Sequence, residues 1–114
     1  MSLQGTPDEF VSLLHKTIVA LIRRDRPDLM ARQLGVFLRV YVYAEPQTGR
    51  DLAVALNVHK AAISRALDRL AEEELVCRQP NPADYRSVLA GRTPKGAALF
   101  REIRQIMQEA ALRE

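Results

Sequence analysis

Few residues in this chain are equipped for chemistry, and most of those are cationic. The two histidines, His15 and His59, lie far apart, and the single cysteine, Cys77, rules out an internal disulfide or a cysteine-based metal cluster. There is no glycine-rich phosphate loop and no set of closely spaced metal ligands, so the sequence offers no catalytic constellation. His15 reads as an interface group on an amphipathic stretch, His59 as a surface residue, and Cys77 as a strand residue packed on the core. What remains is a set of basic side chains at helical spacing. On a helix turning about 100° per residue, Lys60, Ala61, Ser64, Arg65 and Asp68 share one arc of roughly 140°. Small side chains at Ala61 and Ser64 let such a face approach closely. Lys60 and Arg65 supply donors for phosphate oxygens or guanine edges. Arg69 lies at the edge of the arc, where it can reach a phosphate or pair with Glu72 or Glu73. Further on, Asp84 stands two residues before Arg86 and can orient its guanidinium. Arg50 and Arg78 are weaker candidates for phosphate contact. Asp68 and the run Glu72-Glu73-Glu74 oppose phosphate but come late in the helix.

The rest of the chain must position these groups. Its 114 residues fit one domain with one core, and 47% hydrophobic with 27% charged residues is ordinary globular composition. The net charge of +3, with 17 Lys plus Arg, permits nucleic-acid binding without requiring it. No stretch approaches roughly 18 apolar residues and the N-terminus does not resemble a signal peptide, so a cytoplasmic protein without a membrane partner is expected.

Thr6-Pro7-Asp8-Glu9 combines a cap, a proline at the first helical position and a capping box, predicting a helix over about 7–24. Phe10, Leu14, Ile18 and Leu21 form its stripe, widened by Val11 and Ile22. The basic run Arg23-Arg24-Asp25-Arg26 then reads as a solvated helix end. A second helix, about 28–44, is apolar almost all round and belongs at the centre, with Tyr41 and Tyr43 in the core or an interface. Thr48 with Asp51 caps a short third helix that ends at Asn57, a residue tolerant of left-handed backbone. A fourth begins within three residues, near Lys60, and runs to Glu73, giving a helix-turn-helix over about 49–73. Leu75–Gln79 and Ser87–Ala90 read as strands of a hairpin, within a wing spanning about 75–92. Thr93-Pro94 opens a last helix over about 94–113. The order predicts an α+β, mostly helical, winged helix-turn-helix domain spanning 1–114, with flanking terminal helices.

Several stretches now stand in a recognisable order. They are Asp51-Leu52-Ala53 with Leu56, Ala62-Ile63-Ser64-Arg65 and Leu67-Asp68-Arg69-Leu70. Leu75-Val76, Asp84-Tyr85-Arg86-Ser87 and Thr93-Pro94-Lys95-Gly96 follow. Together they resemble the core of the MarR family, the multiple-antibiotic-resistance type of regulator. The resemblance implies a transcriptional regulator that binds double-stranded DNA and is not an enzyme. It places Lys60, Ala61, Ser64, Arg65 and Arg69 at the major groove, with Asp84 and Arg86 on a wing at the minor groove. It also implies a homodimer on a palindromic operator and a small-molecule effector, which no residue here identifies; no cofactor or metal is expected.

Four positions depart from the family pattern. Asn57 replaces a turn glycine, His59 replaces a capping serine, Glu74 replaces a glycine between helix and wing, and Arg92 replaces an apolar residue. Family members also carry a further C-terminal helix, so a smaller, concentration-dependent dimer interface is expected here. For that dimer the residues offer two stripes on the last helix: Leu99, Ile103, Ile106 and Ala110, beside Phe100, Met107 and Ala111. One stripe suffices for packing on its own domain, leaving the other and the first helix (7–24) for a partner. The competing reading is a winged-helix module that binds protein rather than DNA. Lys60, Arg65 and Arg86, on the two elements that would face DNA, weigh against it.

Overall fold

The computed structural model describes residues 4–24 and 28–112. The elements run α1 (Pro7–Ile22), α2 (Ala31–Val42), β1 (Gln47–Thr48), α3 (Gly49–Leu56), α4 (Lys60–Glu72), β2 (Val76–Pro80), β3 (Val88–Arg92) and α5 (Pro94–Leu112). They fall into two compact units, one formed by Met1–Asp28 with Arg101–Glu114, the other by Leu29–Phe100.

In the first unit, Thr6 caps α1 as its sequence implies. The Glu9 carboxylate accepts from the Thr6 N–H at 2.9 Å, and the Glu9 N–H donates to the Thr6 hydroxyl at 3.2 Å. These bonds, the Thr6 backbone N–H foremost, hold the Glu9 carboxyl below the ordinary glutamate pKa. Along the α1 stripe Phe10, Val11, Leu14, Ile18 and Ile22 are exposed, while Leu21 is half-buried. At the end of α1, Arg24 is not the solvated cation expected from its neighbours. Its guanidinium is largely buried in an ion pair with Glu102 of α5. Asp25, Arg26 and Pro27, the rest of that run, lie outside the described residues.

The second unit holds the core. Val36 and Phe37 of α2, Leu52 of α3, and Ile63 and Leu70 of α4 are its largest fully buried side chains. Each contributes about 1.5–3 kcal/mol by leaving water. Phe37 packs on Tyr41 with ring centroids 4.6 Å apart. Helix α2 starts three residues later than its hydrophobicity predicts, because the Gln33 side chain accepts from the Met30 N–H at 2.9 Å and sets the first turn there. It also stops at Val42, leaving Val42 and Tyr43 exposed. Tyr43 is therefore no core residue, and the Arg39 guanidinium covers its ring at 3.9 Å. The end of α2 is capped from an unexpected direction. Arg92 Nε donates to the Val40 carbonyl at 3.1 Å and its Nη2 to the Tyr43 carbonyl at 2.8 Å. A cation on the last carbonyls of a helix satisfies orphaned acceptors and complements the helix dipole, which gives the departure at Arg92 a structural reason.

A three-stranded antiparallel sheet, ordered β1-β3-β2, closes the unit. The hairpin pairs Val76 with Arg92 through Pro80 with Val88. Strand β1 escapes sequence reading, since two residues cannot display an alternating pattern; it pairs Gln47 with Ala90 and Thr48 with Leu89.

Both turns around α4 use left-handed backbone. Asn57 has φ 54 and ψ 50, and the Asn57 and Val58 N–H groups return to the Val54 and Ala53 carbonyls. Glu74 has φ 61, and the Glu74 and Leu75 N–H groups return to Ala71 and Leu70 in the same way. Asn accepts this conformation readily; Glu does not. A β-carbon there costs about 1–2 kcal/mol, which the exposed Lys95–Glu74 pair at 3.9 Å offsets weakly. Glycine at this position adds unfolded-chain entropy of about 0.4–1 kcal/mol. Glu74→Gly should therefore be neutral or stabilising by up to about 1 kcal/mol in a thermal melt. A clear loss of stability would show that the Glu74 side chain outweighs its backbone.

Candidate nucleic-acid interface

The sequence pattern of α4 divides it into two faces, and the structure realises the division. Ala62, Ile63, Ala66, Leu67 and Leu70 are buried, while Lys60, Ala61, Ser64, Arg65 and Asp68 are exposed. His59, at the N-cap, makes no side-chain capping bond, so the first N–H groups of α4 have no side-chain acceptor. Among the described residues, Lys60 and Arg65 form no ion pair. Beside them, Ala61 and Ser64 add no bulk, so the face can approach a flat or grooved partner closely.

Arg69 is less available. Its guanidinium is part-buried and lies 3.5 Å from Glu73 and 4.0 Å from Glu72. Asp68 does not present a bare carboxylate: Arg78 of β2 pairs with it at 2.7 Å and reaches the Ser64 carbonyl at 3.4 Å. Arg78, read from sequence as a weak phosphate candidate, instead straps the wing to the recognition face and neutralises its one acidic member. Nothing local in the sequence reveals this, because the two residues meet only when β2 folds back along α4.

The wing tip is built by side-chain bonds as well as by the strands. The Asn81 side-chain oxygen accepts from the Ala83 N–H at 3.0 Å, and its amide donates to the Ser87 hydroxyl at 2.8 Å. That hydroxyl donates in turn to the Asp84 carbonyl at 3.0 Å. The Asp84 carboxylate accepts from the Arg86 N–H at 3.1 Å and from its Nε at 3.4 Å. The expected orienting pair is thus formed, yet the Arg86 side chain stays 84% exposed. A guanidinium steered on one edge and open on the other can still bind an anion. Tyr85, beside it, is 92% exposed.

A further residue was not legible in the sequence as part of this surface. An open depression between α2, α3 and the start of α4 is lined by Arg32, Val54, Asn57, His59, Lys60 and Arg65, among others. Arg32 enters because the first turn of α2 lies beside the helix-turn-helix, a proximity that only the tertiary fold creates. Arg50 is exposed at the start of α3 and is not among the residues lining it. Among the described residues, no group of His, Cys, Asp and Glu could hold a metal ion. No described helix is long and apolar enough to cross a membrane.

Known proteins are similar to this chain in sequence and in fold. A family model described as MarR family matches residues 38–88. The multiple antibiotic resistance protein MarR of Salmonella typhimurium is 42% identical over 55 residues, 48% of this chain and 38% of that protein. The HTH-type transcriptional regulator YdgG of Bacillus subtilis is 34% identical over 106 residues, 89% of this chain and 62% of that protein. The chain thus spans less than two thirds of the length of either relative. Among solved structures, a mutant MarR from E. coli complexed with operator DNA superposes with a TM-score of 0.68 at 29% identity. That match covers 91% of this chain and 69% of the other. In sequence over residues 38–88 and in fold over most of its length, this chain is similar to regulators of the MarR family.

Proposed function

We propose that the chain is a sequence-specific, double-stranded-DNA-binding transcriptional regulator, cytoplasmic and without catalytic activity. Helix α4 enters the major groove with Lys60, Ala61, Ser64 and Arg65, and Arg69 holds a phosphate at the edge when it leaves Glu73. The wing carries Asp84 and Arg86 to the minor groove. The observation that carries this reading is the pair of cations Lys60 and Arg65, without an ion pair among the described residues, on an exposed arc whose other members are the small Ala61 and Ser64 and the Arg78-paired Asp68. Such a face suits base edges and phosphate. An acidic or apolar arc would have favoured a protein partner.

The regulator acts as a homodimer through α1 and α5, on a palindromic site. Val11 and Leu14 of α1 are about two-thirds exposed, at 64% and 60%, and Met107 of α5 is exposed. An apolar face of this width is costly to leave in water and suits a two-fold partner surface. Sedimentation of the protein with a labelled duplex from upstream of its own gene, at two salt concentrations, tests both parts. Two chains per duplex are expected, with binding that weakens as salt rises. A strict monomer that binds a half-site tightly would remove the dimer. Failure to bind any duplex would favour the protein-interaction module.

A further inference from the structure

Several basic side chains in this fold have a carboxylate within reach. Arg24, Arg69, Arg78, Arg86 and Lys95 all form ion pairs. The depression over the helix-turn-helix is different. Arg32, Lys60 and Arg65 line it, no Asp or Glu does, and none of the three forms an ion pair among the described residues. Arg32 is also placed against its own helix: it lies in the first turn of α2, which carries no acidic residue. A cation there faces the positive end of the helix dipole. Three like charges around one concavity repel one another, and an anion from outside the chain relieves that repulsion.

We infer that Arg32 binds a backbone phosphate of the duplex that α4 reads, extending the contact surface beyond the helix-turn-helix and the wing. This rests on the DNA-binding reading above. The depression shares Lys60, Ala61 and Arg65 with the reading arc, so a duplex held by α4 covers it. The place along α4 matters as well. Arg78 straps the wing alongside Ser64 and Asp68, whereas Arg32 lies toward the start of α4. Arg32 therefore grips the backbone at the start of the recognition helix, away from the side where Arg78 holds the wing. The depression is open rather than enclosed, which suits a strand passing over it better than a small anion sealed within it. Contact with phosphate carries no base information, so Arg32 sets affinity and orientation, not sequence preference.

The test compares wild type, Arg32→Ala and Arg32→Lys on the upstream duplex and on an unrelated duplex, over a salt series. Arg32→Ala should weaken both complexes alike and lower the slope of log affinity against log salt by about one. Across a fourfold rise in salt, wild type should then lose about 3.5-fold more affinity than the variant. Arg32→Lys should keep the wild-type slope. An unchanged slope in Arg32→Ala, or a loss confined to the upstream duplex, overturns the inference while leaving the DNA-binding reading intact. Wild type that binds neither duplex overturns both. Because Arg32 is exposed, thermal melts of the variants should match wild type, separating lost contact from lost fold.

Discussion

Arg65→Ala should weaken binding to the cognate duplex by about 1–3 kcal/mol, roughly 5- to 150-fold, and relax its discrimination against altered sites. The expectation follows from position and from freedom. Arg65 is exposed beside two small residues of α4, and no carboxylate holds it among the described residues. A guanidinium so placed can make two parallel bonds to guanine O6 and N7, and losing a bidentate base contact costs energy mainly at the correct site. Arg86→Ala should behave differently. Arg86 lies on the wing, already half engaged by Asp84, so its removal should lower the salt slope by about one with little change in base preference. If Arg65→Ala left affinity at fixed salt and sequence preference unchanged, with the melt intact, α4 would not be placed in the groove as described. If Arg86→Ala left the salt slope unchanged, Arg86 would be no more than half of a surface ion pair.

Gly96→Ala should destabilise the fold by about 3 kcal/mol or more, although alanine is the better helix former. Propensity alone favours the change by at most about 1 kcal/mol. Sterics oppose it more strongly. Gly96 is buried in the first turn of α5, and a β-carbon there would overlap the Tyr41 hydroxyl and the Leu75 carbonyl oxygen. Neither can retreat easily. The Tyr41 hydroxyl donates to the Leu75 carbonyl at 2.7 Å and accepts from the Thr93 N–H at 3.0 Å. The Thr93 hydroxyl donates to the Glu74 carbonyl at 2.7 Å and accepts from the Gly96 N–H at 2.9 Å. These bonds fasten the junction between α4 and β2 to the one between β3 and α5. Overpacking against backbone lies at the upper end of the usual range of about 1–3 kcal/mol, and buried polar groups would lose partners as well. A melting temperature equal to wild type would mean that the two junctions do not meet as closely as described.

What the sequence made legible was whatever is decided locally. The capping residues Thr6 and Thr48, the left-handed Asn57 and the two faces of α4 all follow from neighbours within about one helical turn, and each is found in place. What was missed depends on segments distant in sequence. Arg92 reaches back to cap α2, Arg78 meets Asp68 across the fold, and Arg24 buries its charge against Glu102. No periodicity records such pairings, because they depend on how whole elements pack. The exposure of Tyr43 has the same origin: α2 ends one residue before it, and beyond that point the helical stripe no longer governs which side faces the core. Within the site itself, residue types identified Lys60, Ala61, Ser64, Arg65, Asp84 and Arg86 as candidates. The helical spacing also offered Arg69 its partner Glu73, but only the fold brought Arg32 beside Lys60, Ala61 and Arg65.

As proposed above, α4 reads base edges in the major groove, once per half-site. Methylation protection at guanine N7, which opens only to that groove, examines this directly on the duplex that the protein binds. Two clusters of protected guanines are expected, centred about 34–36 Å apart along the duplex, as two-fold related recognition helices require. Both clusters should lose protection in Arg65→Ala. Tight binding with no protected guanine N7, or with protection that Arg65→Ala leaves untouched, would contradict the claim.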